Sequence, residues 1–375
     1  MGLRSARRRG VAVATMCVAL LLAVTGSASA SRYLKVGLID DEQTLRSATP
    51  EIALGKLEEL NVQVLKVSLY WNRVAPTRPE EPTDPADPAY DWTEVDRMAI
   101  GAQERGMTLF FTVLATPTWA NSATWRHPPD RMDDLRAFAK AAARRYSGRY
   151  SDAADRLLPR VSRWSVWNEP NLRAFLLPQW KLVNGRWVVA SAGAYARMCT
   201  AVWRGIHETG GAGMKVACGE TAPRGADQPG RSVSPLRFLR GMKRAGARFD
   251  VYAHHPIGLR RPPTWRPTTD KMIALGNIGL LVRELNRLYG RQMRLWVSEY
   301  SYRTNPPDPY LGVTWANQAR YLTMAHQIIR EHPRIDLLIW FQLRDEARRG
   351  GWASGLEASD GTRKPAYQAF MNLSR

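Results

Sequence analysis

Cysteine is scarce in this 375-residue sequence, which contains three such residues. Their spacing matches no zinc-binding pattern. Cys17 lies in an N-terminal segment that we expect to be removed, which leaves Cys199 and Cys218. An even number of cysteines is compatible with a disulfide in an exported protein. The sequence leaves open whether this pair, expected on a helix and the strand after it, has the required geometry.

Long apolar runs are absent after the first thirty residues. Within them, a basic start precedes the apolar run 11–24, and the small residues Ala28-Ser29-Ala30 follow. That order predicts a secretory signal peptide over residues 1–30, with cleavage after Ala30. The run is too short to span a membrane comfortably and lacks a charged stop-transfer cluster. We therefore expect a secreted, extracellular protein without a membrane segment after cleavage, in which residues 31–375 form one domain.

Acidic residues are few relative to basic ones, with 34 Asp and Glu against 54 Lys and Arg and a formal net charge of +20. A strong basic excess is typical of nucleic-acid-binding proteins. Export argues against that partner, and we predict no nucleic-acid binding. The positive field favours anionic glycans or an anionic cell wall. The alternative is a basic, solvated surface that has no specific partner.

Several catalytic and nucleotide-binding motifs are missing. The chain has no Gly-x-Ser-x-Gly elbow and no Walker loop. Residues 211–213 read Gly-Ala-Gly but precede an apparent strand instead of a helix, so they indicate a loop and not a dinucleotide site. We predict no cofactor.

What the sequence does contain is a regular alternation of apolar runs and helical segments. The runs are rich in β-branched and aromatic residues and lack strict polar alternation, which favours parallel strands buried on both faces. The eight runs lie near 34–38, 63–69, 107–113, 161–167, 214–219, 249–254, 293–298 and 335–341. Helices are predicted from 50 to 60, 93 to 106, 130 to 148, 191 onward, 234 to 245, 268 to 289, 315 to 331 and 365 to 373.

Eight strand-helix units predict an α/β protein with a single (β/α)₈ TIM barrel. A doubly wound open sheet is the structural alternative, but it rarely needs eight regular units. Two inserts interrupt the pattern: a Pro-rich loop over 73–91, and residues 180–189, where Asn184-Gly185 between apolar runs predicts a β-hairpin after strand four. Both follow strands, so both belong to the face where barrel active sites are built.

Carboxylates stand at the ends of several predicted strands. Glu169, Glu220 and Glu299 each follow an apolar run directly, and Asp345 and Glu346 lie slightly past strand eight. Glycoside hydrolysis needs two carboxyl groups across the scissile bond, one as proton donor and one as nucleophile or base. The expected place for such a pair is the carboxyl end of the barrel strands.

Two of these strand ends resemble motifs of glycoside hydrolase clan A, the retaining (β/α)₈ glycosidases. Trp-Asn-Glu-Pro-Asn over 167–171 resembles the strand-four signature, which implies that Asn168 binds the sugar 2-hydroxyl and that Glu169 is the acid/base. Leu-Trp-Val-Ser-Glu-Tyr over 295–300 resembles the strand-seven motif, which implies that Glu299 is the nucleophile. The resemblance implies a hydrolase that retains configuration by double displacement.

Further positions match the same resemblance over nearly the whole chain. Residues 116–120 resemble the Pro-x-Trp loop of the clan, and Trp340 on strand eight matches the Trp that floors the sugar site. The chain ending resembles family 39-like and family 5-like members. The candidate substrate-binding residues are Asn168, Trp340, His255, Trp119, Tyr300, Lys66, Trp71 and Glu220.

Two positions depart from the clan pattern. Lys66 stands where the clan usually has Arg, and Ile257 stands where a Tyr often donates a hydrogen bond to the nucleophile. That bond comes from Tyr300 or Tyr302, or it is absent. Adjacent His254 and His255 suggest a metal at first sight, but neighbours on a strand point to opposite faces, and we predict no metal.

The sequence therefore predicts a secreted, monomeric glycosidase acting on a β-linked glycan or glycoside, either β-xylosidase-like or an endo-β-glycanase. A non-catalytic sugar-binding or cell-wall-binding barrel is one alternative, and a charge-driven adhesin for acidic polymers is another. Arginines on the catalytic-face loops either meet a uronate or are solvated: Arg224, Arg260, Arg303 and Arg344.

Overall fold

The computed structural model of the chain describes residues 34–348 and 350–373. The predicted signal peptide lies outside these residues. Among the helices that are described, none is both long enough and apolar enough to cross a membrane.

Ten β-strands are present in the described residues, and eight of them form one closed, all-parallel barrel. In chain order the strands are β1 (Lys35–Ile39), β2 (Val64–Tyr70), β3 (Thr108–Leu114), β4 (Arg163–Val166), β5 (Trp180–Val183), β6 (Arg186–Val189), β7 (Lys215–Thr221), β8 (Val251–His254), β9 (Arg294–Tyr300) and β10 (Ile335–Phe341). The barrel order is β1-β10-β9-β8-β7-β4-β3-β2, and it closes between β1 and β2. The predicted TIM barrel is confirmed.

Helices connect the strands and cover the outside of the barrel. They are α1 (Pro50–Glu59), α2 (Trp71–Val74), α3 (Thr93–Glu104), α4 (Met132–Arg145), α5 (Ser191–His207), α6 (Pro235–Arg244), α7 (Gly279–Tyr289), α8 (Trp315–Glu331) and α9 (Pro365–Met371). The helix predicted over 268–289 is wrong in its first part, because α7 begins only at Gly279 after a 3₁₀ turn. The preceding residues pair with a neighbouring loop instead: the N–H of Ile273 donates to Pro223 O at 2.7 Å.

The inner face of the barrel has an apolar layer with a polar layer above it. Val64, Phe110, Trp296 and their neighbours form a separate buried cluster inside the barrel. Because side chains alternate along a strand, Lys66 follows Val64 on this inner face, where its ammonium lies 5.2 Å from the Phe110 ring centre. The carboxyl end of the barrel is therefore polar although the strands read as apolar.

The hairpin and the disulfide complete the frame around the site. Strands β5 and β6 pair antiparallel through Asn184 and Gly185, whose positive φ angles of 48° and 72° suit a two-residue hairpin turn. Cys199 on α5 and Cys218 on β7 form a disulfide with a Cα–Cα distance of 6.2 Å. The structure thus settles the question that the spacing left open.

Candidate active site

Glu169 and Glu299 lie at the carboxyl ends of β4 and β9, and the barrel brings them together. Each side chain is about 15% exposed, so both are accessible from the catalytic face. The ligand atoms of Glu169, His255 and Glu299 all lie within 4.8 Å of one another. Carboxyl groups of retaining glycosidases lie about 5–5.5 Å apart, against about 6.5–9.5 Å in inverting enzymes. The arrangement matches the shorter spacing.

His255 is completely buried between three carboxylates. Its Nδ1 lies 3.2 Å from Glu169 Oε1 and 3.9 Å from Glu299 Oε2, and its Nε2 lies 3.0 Å from Glu220 Oε2. Burial lowers the pKa of the imidazole, but the charge of Glu299 and the hydrogen bonds to Glu169 and Glu220 outweigh it and raise the pKa to about 9. His255 is therefore an imidazolium at neutral pH, and both nitrogens donate.

Glu220 is a fully buried carboxylate below the catalytic pair. Its Oε2 accepts hydrogen bonds from Lys66 Nζ at 3.0 Å, from Ser298 Oγ at 2.9 Å and from His255 Nε2. Burial raises the pKa of Glu220, yet the Lys66 charge and the bonds from His255 and Lys66 lower it overall to about 2. Glu220 is thus ionised, and it supports the site from below without an exposed face for a sugar.

Glu299 carries no hydrogen bond on its carboxylate within the described part of the chain. Burial raises its pKa, His255 opposes that rise, and the neighbouring Glu169 charge raises it further. Lys66 contributes at a distance, since its ammonium lowers the pKa of Glu299 while it is bonded to Glu220 and to Ser298 O at 3.1 Å.

The two tyrosines that were candidates to hold the nucleophile bond elsewhere. Tyr300 Oη lies 3.0 Å from Tyr302 Oη, and Tyr302 donates to Arg261 O at 2.9 Å. The structure therefore favours the alternative in which the tyrosine bond to the nucleophile is absent. The Tyr300 side chain is buried in the wall of the barrel, so its predicted contact with substrate has no support in this placement.

The candidate tryptophans occupy different positions. Trp71 is 1% exposed and stacks on Phe138 with 5.6 Å between ring centres, so it has a packing role, and its predicted contact with substrate has no support in this placement. Trp119 is partly exposed, donates to Ala75 O at 2.8 Å and carries the Arg78 guanidinium 4.5 Å above its ring. Trp340 is buried at the end of β10, and its predicted role as the floor of the sugar site stays a prediction.

Backbone geometry places the acid/base residue. Trp167 and Glu169 both have positive φ angles, 66° and 39°, and the half-buried Asn168 lies between them. The N–H of Glu169 donates to Glu220 O at 2.9 Å, which joins β4 to β7. The buried Asn171 amide strengthens this joint by accepting from the N–H of Ala222 at 2.8 Å.

Sequence reasoning gave Asn171 and Ser298 no role. Ser298 could have been found because it lies two positions after Trp296 in the same strand. Residues two apart in a strand face the same side, and here both face the inside of the barrel. Asn171 belongs to the strand-four motif, but its hydrogen-bond partners lie about fifty to sixty positions away in the chain. A local sequence pattern therefore cannot predict them.

One group of described residues has the composition of a metal site, namely Glu169, His255 and Glu299. A protonated imidazole has no free lone pair, so His255 acts here as a donor to the carboxylates. The sequence prediction that the site needs no metal stays a prediction. His254 points away, towards Thr221 Oγ1 at 2.8 Å and Ile273 O at 2.9 Å, as its neighbouring position requires.

The loop arginines are mostly engaged within the protein. Arg303 pairs with Asp308 at 2.7 Å, and Arg344 pairs with the buried Glu357 at 2.9 Å. Both arginines already have a carboxylate partner within the protein, and their contact with a uronate stays a prediction. Arg260 donates to the carbonyl of Tyr310 at 3.2 Å and stays exposed.

Comparison with known proteins shows likeness in fold. No protein-family model matches the chain, and no curated protein matches it. Among solved structures, a family 39 glycoside hydrolase from Bacteroides cellulosilyticus WH2 has a TM-score of 0.65 at 15% identity, covering 93% of this chain and 64% of that one. A monomeric β-xylosidase from Caulobacter crescentus CB15 has a TM-score of 0.62 at 16% identity, covering 92% of this chain and 68% of that one.

A xylanase 10B from Thermotoga maritima has a TM-score of 0.55 at 14% identity, covering 91% of this chain and 95% of that one. The predicted resemblance to clan A is thus confirmed at the level of the barrel fold. This chain spans somewhat less than two thirds of the length of the Bacteroides enzyme.

Proposed function

We propose that the protein is a retaining glycoside hydrolase with Glu169 as acid/base and Glu299 as nucleophile. The observation that carries the proposal is the close approach of these two carboxylates at the carboxyl end of the barrel, within the 4.8 Å that also includes His255. An inverting enzyme holds its carboxyl groups about 6.5–9.5 Å apart so that a water molecule fits between them, and this pair is closer than that. Fold likeness to glycosidases supports the proposal.

The chemistry proceeds in two displacements. Protonated Glu169 gives its proton to the glycosidic oxygen while Glu299 attacks the anomeric carbon, so the carbon–oxygen bond breaks and an ester to Glu299 forms. Water then attacks the anomeric carbon, and Glu169 takes its proton as the ester breaks. Both carboxylates change charge once in each direction, and the enzyme returns to its starting state.

For the substrate we propose a β-linked glycoside, with a β-xyloside as the first candidate. Two of the similar structures are described as a β-xylosidase and a xylanase, which supports this class without distinguishing exo from endo action. The order of basic, apolar and small residues over 1–30 supports export to the extracellular medium. A non-catalytic sugar-binding barrel is the second candidate, and it predicts binding without turnover.

The test is a panel of aryl β-glycosides and glycans assayed with the full chain. We expect hydrolysis with retention, and Glu299→Ala is expected to reduce kcat by about 10⁴-fold or more because the covalent step is lost. Azide added to that variant is expected to yield a glycosyl azide of inverted configuration. Glu51→Ala, an exposed change on α1, is the control and leaves kcat unchanged.

Three outcomes contradict the proposal. Turnover that survives Glu299→Ala contradicts the assignment of Glu299 as nucleophile. A first-formed product of inverted configuration contradicts the retaining mechanism. Sugar binding that persists in the absence of any hydrolysis across the panel favours the non-catalytic barrel.

A further inference from the structure

Below the catalytic pair lies a buried charged cluster that the two-step mechanism does not use, consisting of Lys66, Glu220, His255 and Ser298. We propose that Glu220 is a positioning residue that fixes His255 as an imidazolium, and that this imidazolium serves Glu299 and Glu169 in turn as negative charge passes between them. The proposal rests on the proposed function and adds a role for residues outside the catalytic pair.

The first step of the argument is the geometry at Glu220. Three donors converge on its Oε2, while Oε1 has no hydrogen-bond partner among the described residues. Lys66 and Glu220 have side-chain exposures of 2% and 0%, so water does not compete for these bonds. A buried charge of this kind persists only when it is paired and hydrogen-bonded. The carboxylate is therefore held in one orientation, and it holds His255 by Nε2.

The second step concerns the other nitrogen of His255. With Nε2–H bonded to Glu220, Nδ1 faces Glu169 at 3.2 Å and Glu299 at 3.9 Å. A neutral ring donating through Nε2 places the lone pair of Nδ1 towards its neighbours, which is repulsive wherever the facing carboxylate is ionised, as Glu299 is before it attacks. A protonated ring places an N–H there instead. Beside an ionised Glu299 the geometry favours the imidazolium, and the raised pKa of His255 agrees with it.

The third step is the charge balance of the site. With Glu169 protonated, the negative charges of Glu220 and Glu299 are balanced by Lys66 and His255. In the glycosyl-enzyme, Glu299 is a neutral ester and Glu169 has given up its proton, so one carboxylate has replaced the other and the balance is unchanged. His255 lies within reach of both, and it stabilises whichever one is ionised.

Several titratable groups face this cluster. From the strands they are Glu169 after β4, Glu220 on β7, Glu299 on β9 and Lys66 on β2, with His254 as the strand neighbour of His255 and Tyr195 on α5 facing Glu220. Lys66 competes with His255 for Glu220. Removing Glu220 or Lys66 therefore changes the protonation of His255 in opposite directions.

The decisive experiment is an NMR titration of the histidine ring nitrogens in the full chain, which needs no catalytic activity. In the unmodified protein we expect His255 to titrate near pH 9, while His254 stays neutral. Glu220→Gln removes the charge with little change of shape and is expected to lower the His255 titration by at least one pH unit. Lys66→Met is expected to raise it.

A matched control is available in Glu357, another fully buried glutamate with two cationic partners, Lys56 and Arg344. Glu357→Gln is expected to leave the His255 titration unchanged.

The outcomes separate this role from a merely structural ion pair. A His255 titration near its ordinary value in the unmodified protein overturns the proposal, as does a titration that Glu220→Gln and Lys66→Met both leave unchanged. If Glu220→Gln does not fold, the His255 titrations of the unmodified protein and of Lys66→Met are sufficient to test the proposal. Failure of the proposed hydrolysis appears separately, in the glycoside panel, and leaves the titration readable.

Discussion

At the scale of single residues, backbone strain gathers where the chemistry is proposed. Trp167, Glu169 and Glu220 all adopt positive φ angles. Such conformations cost roughly 1–2 kcal/mol each for residues other than glycine. They persist because neighbouring strands fix them, as in the bond from Glu169 N–H to Glu220 O. The strain turns the Glu169 carboxylate towards Glu299 and His255 instead of along the direction of β4.

Asp40, which directly follows β1, is a buried carboxyl group with a raised pKa. Its carboxylate follows β1 and accepts hydrogen bonds from the N–H groups of Gln43, Leu343 and Arg344 at 3.2, 3.0 and 3.1 Å. Burial nevertheless raises its pKa from 3.8 to about 7. A group whose pKa is higher in the folded protein than in the unfolded chain contributes its full stabilisation at a pH below the unfolded-state pKa. That stabilisation is lost as the pH rises through the folded-state pKa.

We therefore predict that Asp40→Asn flattens the pH dependence of stability. Between pH 4 and 7 a single such group contributes a slope of up to about 1.4 kcal/mol per pH unit, with stability falling as the pH rises. Urea unfolding at several pH values checks this against Asp133→Asn, an exposed carboxylate on α4. Equal slopes in the two variants contradict the prediction.

At the scale of elements, the hairpin after β4 divides into a packed base and an exposed tip. Trp180 at the base is 7% exposed and donates to Arg231 O at 2.7 Å, whereas Trp187 near the tip is 53% exposed. The alternation of a strand and the turn at Asn184-Gly185 were readable in the sequence. The sequence did not predict which of the two rings is buried. That depends on contacts with α6, whose Arg237 lies 4.8 Å from the centre of the Trp180 ring.

The two tryptophans make a matched pair for a stability measurement. Trp180→Ala is expected to reduce the free energy of unfolding by about 3 kcal/mol, since it removes a buried ring and a hydrogen bond. Trp187→Ala is expected to change it by about 0.5 kcal/mol or less. Chemical denaturation of both variants checks the difference. Similar losses show that the hairpin base does not pack as described.

At the scale of the whole molecule, the disulfide connects an outer helix to the barrel wall. Cys199 and Cys218 are both fully buried and are separated by 19 positions. A bridge closing a loop of this length stabilises a protein by about 3 kcal/mol, mainly by restricting the unfolded chain. The bridge joins α5 to β7, the strand that carries Glu220, so it supports the cluster below the catalytic pair from outside.

We predict that the double change Cys199→Ala with Cys218→Ala lowers the free energy of unfolding by about 3 kcal/mol. Chemical denaturation of the double variant and the unmodified protein under non-reducing conditions measures the loss. The same comparison with a reductant present is the control, and it is expected to bring the two midpoints together. Equal stability without reductant contradicts the prediction.

The sequence by itself determined the barrel, the hairpin and the candidate pair Glu169 and Glu299. The barrel and the hairpin follow from local signals, namely apolar runs of strand length and an Asn-Gly turn. Three glutamates come directly after strands, and the resemblance of the strand-four and strand-seven motifs to clan A singled out Glu169 and Glu299 among them. Such patterns involve residues that are near one another in the chain, and a parallel barrel has only a few ways to arrange them.

Only the tertiary structure decided how the pair is supported. Lys66 on β2, Glu220 on β7 and His255 directly after β8 meet through contacts of long sequence separation, such as the 154 positions between Lys66 and Glu220. Lys66 appeared to replace an arginine beside the nucleophile, but burial requires a paired charge, and its partner is Glu220. Trp71 and Tyr300 were candidate sugar-binding aromatics, and the structure buries both of them, against Phe138 and Tyr302 respectively. Pairing and burial depend on which side chains meet in space, and no local pattern records that.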